Sequence, residues 1–146
     1  MKRFFSQFAL VLLASLAFLQ PALATDVTMY KNASCGCCGK WAQHLRDNGF
    51  NVKEISVADM AEVKQHLSVP QRLAACHTAE VNGYVIEGHV PAASIKRLLD
   101  EKPRVKGLAV PGMPAGSPGM EGGRHEPYDV LTFDRQGKIT VFSSEK

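Results

Sequence analysis

The chain has 146 residues, with 17 Lys plus Arg against 14 Asp plus Glu and five His, for a formal charge of +3. So balanced a chain has no electrostatic case for nucleic acid, which is held by dense basic surface. Four residues are cysteine, and how they are spaced decides more than how many there are.

At the N-terminus, Lys2 and Arg3 precede an apolar run from Phe8 to Leu19, and Ala22-Leu23-Ala24 is a small-x-small cleavage pattern. Residues 1–24 therefore read as a secretory signal peptide. As a membrane anchor the run falls short of the ~20 residues a spanning helix needs, and Pro21 interrupts it. Cleavage after Ala24 leaves 146 − 24 = 122 residues; without Lys2 and Arg3 these carry 15 basic and 14 acidic side chains, or +1. No later stretch is apolar and long enough to cross a membrane. The expected product is a soluble exported monomer, periplasmic in a Gram-negative cell.

The mature sequence opens with Asp26 to Lys31, alternating and β-rich, as a first strand. Cys38 to Asn48 sets Trp41, Ala42 and Leu45 on one helical face before Gly49 stops it. Asn51 to Val57 is a second strand, and Asp59 is a good N-cap for a helix from Met60 to Leu67 with Val63 and Leu67 inward. Cys76 to Val81 and Tyr84 to Glu87 flank Asn82-Gly83, a strong signal for a two-residue hairpin turn. Pro91 then opens a helix through Leu99. The order is βαβα, a hairpin and a helix.

Cys35-Gly36-Cys37-Cys38 lies where the first strand meets the first helix, and Cys76 is followed by His77. Exported cysteines usually form structural bridges, but such bridges gain by closing long loops, and one within Cys35 to Cys38 closes almost nothing. A chain of this length also buries a core without staples. Tight thiol groups are redox or metal devices instead, and a helix N-terminus favours the thiolate. Strand order and thiol position together resemble a thioredoxin or glutaredoxin fold, an α/β class. In that family a cis-proline loop before the third strand faces the C-x-x-C. Counting back from Gly83 places Ala75 and Cys76 there, so a thiol stands where the resemblance expects the proline that discourages metal capture.

Gly107 to Gly123 (GLAVPGMPAGSPGMEGG) is rich in Gly and Pro and reads as too irregular for a helix or a central strand. It is either a flexible linker or a binding loop. Two Pro-Gly-Met settings hold Met113 and Met120, and thioethers together with thiolates select Cu(I) over hard ions. Tyr128 to Asp134 and Ile139 to Ser143, around Arg135-Gln136-Gly137-Lys138, form a second hairpin that closes this extension onto the domain.

The segments S-C-G-C-C-G-K-W, A-C-H-T, V-N-G-Y-V-I-E-G-H-V-P and G-L-A-V-P-G-M-P-x-G-S-P-G-M-E together resemble the small exported C-x-C-C copper-resistance proteins of the CopG family. The resemblance covers essentially the whole mature chain. It implies a thioredoxin-like domain over residues 25–104 and an extension over 105–146 that contributes to metal binding. It also implies a cysteine-bridged multinuclear copper cluster, and a role in copper resistance that interconverts Cu(I) and Cu(II) ahead of an efflux system or a copper chaperone.

Carried over by position, Cys35, Cys37, Cys38 and Cys76 are the sulfur ligands, and Met113 and Met120 are soft caps. Cys37 and Cys38, being adjacent, point in different directions and suit bridging better than one tetrahedral ion. His77 is the best histidine candidate, although strand alternation turns it away from Cys76 if both are extended; His125 is a borderline one. His89 stands between ligand and plain helix-entry residue. His44 and His66 default to solvated surface, and Met29 and Met60 to packing. Two other functions share these residues: a metal-free thiol-disulfide oxidoreductase, with Cys35 as nucleophile and Cys38 resolving, and a copper chaperone or storage protein without redox turnover.

Overall fold

The computed structural model describes residues 24–146; the proposed signal sequence, apart from Ala24, lies outside them. Seven strands form one sheet in the order β2-β1-β3-β4-β5-β6-β7. In chain order the elements are β1 (Thr25–Lys31), α1 (Gly36–Asp47), β2 (Phe50–Ser56), α2 (Met60–His66), a 3-10 turn (Gln71–Leu73), β3 (His77–Val81), β4 (Tyr84–Gly88), α3 (Ala92–Glu101), β5 (Gly107–Val110), β6 (Tyr128–Phe133) and β7 (Ile139–Glu145). β1 and β2 run parallel, β3 is antiparallel to β1, and β4 is antiparallel to β3. This β2-β1-β3-β4 arrangement is the thioredoxin-like α/β core that the sequence leads one to expect. Among the described residues no helix is long and apolar enough to cross a membrane.

Local chemistry explains the elements. On α1, Cys38, Trp41, Ala42 and Leu45 are fully buried; their i, i+3, i+4, i+7 spacing makes one apolar stripe, and Cys38 is its first member. The stripe packs with Val27 and Met29 of β1, Ile86 of β4 and Ile95 and Leu98 of α3 in one core. Full burial of each large side chain there is worth about 1.5–3 kcal/mol. The opposite sheet face holds a second cluster built on Leu67, Leu73, Val85, Ala109 and Phe133. Asp59 caps α2 as expected, accepting from the backbone N–H of Ala61 at 2.8 Å and of Glu62 at 3.2 Å. Asn82 and Gly83 both have positive φ, 46° and 83°, which suits a two-residue hairpin.

One expectation fails. Gly107 to Val110 is a central strand, parallel to β4 and antiparallel to β6, and all four of its residues are buried. A Cβ on Gly107 would lie 1.8 Å from the carbonyl oxygen of Val85, so this glycine permits close strand approach instead of marking a loop. The apolar Leu108-Ala109-Val110 that follows was hidden by the Gly and Pro beyond it. The second hairpin, β6 and β7, then extends the same sheet.

Candidate metal centre

Cys35 is the N-cap of α1, and no side chain caps that end or places an acid in its first turn. Cys37 and Cys38 therefore sit among unpaired backbone N–H groups at the positive end of the helix, where negative sulfur is stabilised. Cys76 lies just before β3, on the segment facing this end. The Sγ atoms of Cys35, Cys37, Cys38 and Cys76 all fall within 4.8 Å of one another. Cys35 and Cys38 are joined as a disulfide, whereas Cys37 and Cys76 are free thiols. The Cys37 Sγ is 3.5 Å from that of Cys35.

A second donor group overlaps the first: Cys76, His77 and His89 also lie within 4.8 Å of one another. Cys76 Sγ is 3.3 Å from His77 Nδ1 and 3.1 Å from His89 Nε2. His89 Nδ1 is 2.7 Å from the Pro118 carbonyl oxygen. A carbonyl only accepts, so Nδ1 carries the proton and Nε2 of the neutral ring presents its lone pair to Cys76. Burial lowers the pKa of both His77 and His89, which keeps the rings neutral and ligand-competent. His77 packs at 4.4 Å between ring centroids against Trp41 and edge-on to His89 at 5.0 Å. Its Nε2 is buried with no hydrogen-bond partner among the described residues. Burial, reinforced by repulsion from Cys37, pushes the Cys76 thiol up to about 12. Without metal this sulfur keeps its proton, and a bound cation would have to displace it.

Two supports hold the donors in place. His89-Val90-Pro91-Ala92 is pinned to α1, because Trp41 Nε1 donates to Val90 O at 2.9 Å and Ala92 N donates to His44 Nε2 at 3.1 Å. His44 is thus half-buried and structural, not solvated. Behind Cys76, the Glu87 carboxylate is fully buried. It accepts from Ala75 N at 2.6 Å, from Thr78 Oγ1 at 2.6 Å and from the Lys64 ammonium. Burial raises the Glu87 pKa against these stabilising partners.

The loop after β5 closes over the site. It is tied by Ser117 N to Pro114 O, Met120 N to Ser117 O and Gly116 N to Met120 O, which is not the behaviour of a free linker. A Cβ on Gly119 would lie 2.8 Å from Cys37 O, 2.9 Å from Trp41 N and 3.3 Å from His89 Nδ1. The loop backbone therefore rests directly on the first turn of α1. Glu121 Oε1 accepts from Gly119 N at 2.8 Å, and that bond holds its carboxyl below the usual range.

Of the residues singled out in the sequence, the four cysteines and His77 converge. His89, weighed evenly there, joins them; its signal was a histidine directly after a hairpin strand and two residues before a helix-opening proline. Met120 lies next to the docked Gly119 and is half-buried, while Met113 is 51% exposed. His125 is exposed, with its ring against Gly116 and outside both donor groups. The objection that alternation turns His77 away does not apply, because β3 begins at His77 and Cys76 precedes it. Thiols and neutral imidazoles form a soft-to-borderline donor set, which fits copper.

Comparison with known proteins agrees with this geometry. Residues 73–120 match a family described as "Protein of unknown function, DUF411". A search of curated proteins finds no match. Two solved structures of copper resistance protein CopG, forms 2 and 1, are each 44% identical and superpose with TM-scores of 0.80 and 0.79; the alignments cover 84% of this chain and 99% and 98% of theirs. The chain belongs to the CopG copper-resistance protein family.

Proposed function

We propose that this is an exported, periplasmic copper-binding protein in which Cys35, Cys37, Cys38 and Cys76 bridge a multinuclear copper cluster. His77 and His89 supply nitrogen donors, and Met113 and Met120 supply thioethers from the loop within residues 105–146. The observation that carries the reading is the meeting of four sulfur atoms within 4.8 Å at a helix N-terminus. Four thiolates confined to that space repel one another unless each is shared between cations. The chemistry copper supplies when bound is one-electron exchange between Cu(I) and Cu(II). The chain's residues hold the ions, keep imidazoles neutral and exclude water through Trp41 and the docked loop. Its place in copper resistance is then a redox adjustment of copper before delivery to an efflux system or a chaperone.

Anaerobic loading of the reduced chain with Cu(I), metal counting per chain and voltammetry test this. The reading expects more than one copper per chain, a reversible wave, and marked loss of copper in Cys37→Ser and Cys76→Ser. At most one copper, or binding undiminished in those variants, would contradict it. Copper bound with no reversible wave would leave storage or delivery as the function. The bonded Cys35–Cys38 pair favours thiol-disulfide exchange as a second reading, which turnover of a small disulfide by the metal-free chain would support.

A further inference from the structure

We infer that the four cysteines divide into two pairs, and that a Cys35–Cys38 disulfide gates how much copper the centre takes up. The inference rests on the copper reading above and adds its regulation. Cys35 and Cys38 are bonded to each other while Cys37 and Cys76 remain free. The bond withdraws two of the four sulfurs yet leaves a donor set behind. That remnant is Cys76 with His89 Nε2 at 3.1 Å and His77 Nδ1 at 3.3 Å, and Cys37 within 4.8 Å of Cys76.

The remnant is held by contacts that do not pass through the disulfide. Pro118 O orients His89, Trp41 and His44 pin the segment after it, and Glu87 anchors Ala75 beside Cys76. Two sulfurs and neutral imidazoles suit about one soft ion. The disulfide state is therefore a low-capacity site, and the dithiol state is the full cluster. Copper uptake follows the supply of reducing equivalents.

Opening the gate takes two electrons and two protons, which a dithiol reductant provides. Its thiolate attacks Cys35 Sγ, because Cys35 is partly exposed at the helix cap and Cys38 is fully buried. The Cys35–Cys38 bond breaks as the mixed disulfide forms. Cys38 leaves as a thiolate in the first turn of α1, where N–H groups favour it, and takes up a proton. The reductant's second thiol then attacks its own sulfur in the mixed disulfide. Cys35 is released as a thiol and the reductant leaves as a disulfide, so two hydrogens have moved from one dithiol to the other.

The test uses the full mature chain, metal-free and anaerobic, in an oxidised and a phosphine-reduced preparation. Differential alkylation with peptide mass spectrometry locates the disulfide, and titration against a chromophoric Cu(I) chelator gives the copper capacity. The expected result is a Cys35–Cys38 disulfide with Cys37 and Cys76 alkylated. Capacity should be about one Cu(I) when oxidised and at least about twofold higher when reduced. The double variant Cys35→Ser/Cys38→Ser should stay at the low capacity in both preparations. A disulfide at another pair, or an oxidised chain that binds no copper, would overturn the inference. Equal capacity of several ions in both states would overturn the gate and leave the cluster standing. At most one ion even after reduction would remove the cluster and the gate with it.

Discussion

Replacing Gly119 by Ala tests whether the loop is part of the metal centre. Gly119 has a φ of +88°, and an added Cβ would meet Cys37 O at 2.8 Å and Trp41 N at 2.9 Å. Both are backbone atoms of α1 and cannot swing aside, so the loop must lift. Left-handed backbone costs a side chain about 1–2 kcal/mol, and losing the His89–Pro118 bond removes about 1 kcal/mol more. Together, about 2–3 kcal/mol corresponds to a drop of about 30- to 140-fold in the docked population. Copper affinity, measured by Cu(I) chelator competition, should fall by a similar factor if the loop supplies a ligand or orients His89. Gly112→Ala is the control, since Gly112 also has positive φ, +70°, but its Cβ would meet nothing within 4 Å. That variant bears the same left-handed cost of about 1–2 kcal/mol but no clash and no lost His89 bond, so its affinity should fall by at most about 5- to 30-fold, less than that of Gly119→Ala. Equal effects of the two substitutions, or unchanged affinity in Gly119→Ala, would refute the reasoning.

Glu87→Gln leaves the Lys64 ammonium beside a neutral amide in a buried pocket and should cost about 3–5 kcal/mol of stability. Lys64→Met/Glu87→Gln removes both charges, keeps an acceptor for Ala75 N–H, and should recover most of the loss in urea melts; a double variant no better than the single would count against the pair. Acid should also weaken the metal-free fold. The folded pKa of His77 lies well below 6.5, so below pH 6.5 the unfolded chain binds the extra proton and stability falls as pH drops toward the folded value. The slope approaches about 1.4 kcal/mol per pH unit for this one residue. His77→Gln should flatten the urea-midpoint profile between pH 7 and 5.5, and an unaltered slope would contradict the assignment.

The core was legible because its signals are local. The stripe ending in Leu45, the Asp59 cap and the Asn82-Gly83 turn each specify their element without help from distant residues. The four-cysteine meeting was legible too, because the thioredoxin-like order places Cys76 opposite the helix N-terminus. β5 was not, since the need for glycine at position 107 arises from the Val85 carbonyl of a neighbouring strand, a contact that no pattern within Gly107 to Gly123 encodes. His89 was only half legible for a related reason. Its tautomer and direction depend on Pro118 O, which is 29 residues away in sequence. The Lys64–Glu87 pair passed unnoticed because a glutamate in an alternating strand reads as solvent-facing until α2 and the Cys76 segment cover it.

The central claim is that the cysteines bridge several copper ions. Copper K-edge X-ray absorption on the reduced, Cu(I)-loaded chain tests it most directly. The account predicts a first shell dominated by sulfur together with a copper–copper scattering path. A shell of mixed light atoms with no copper–copper path would contradict it.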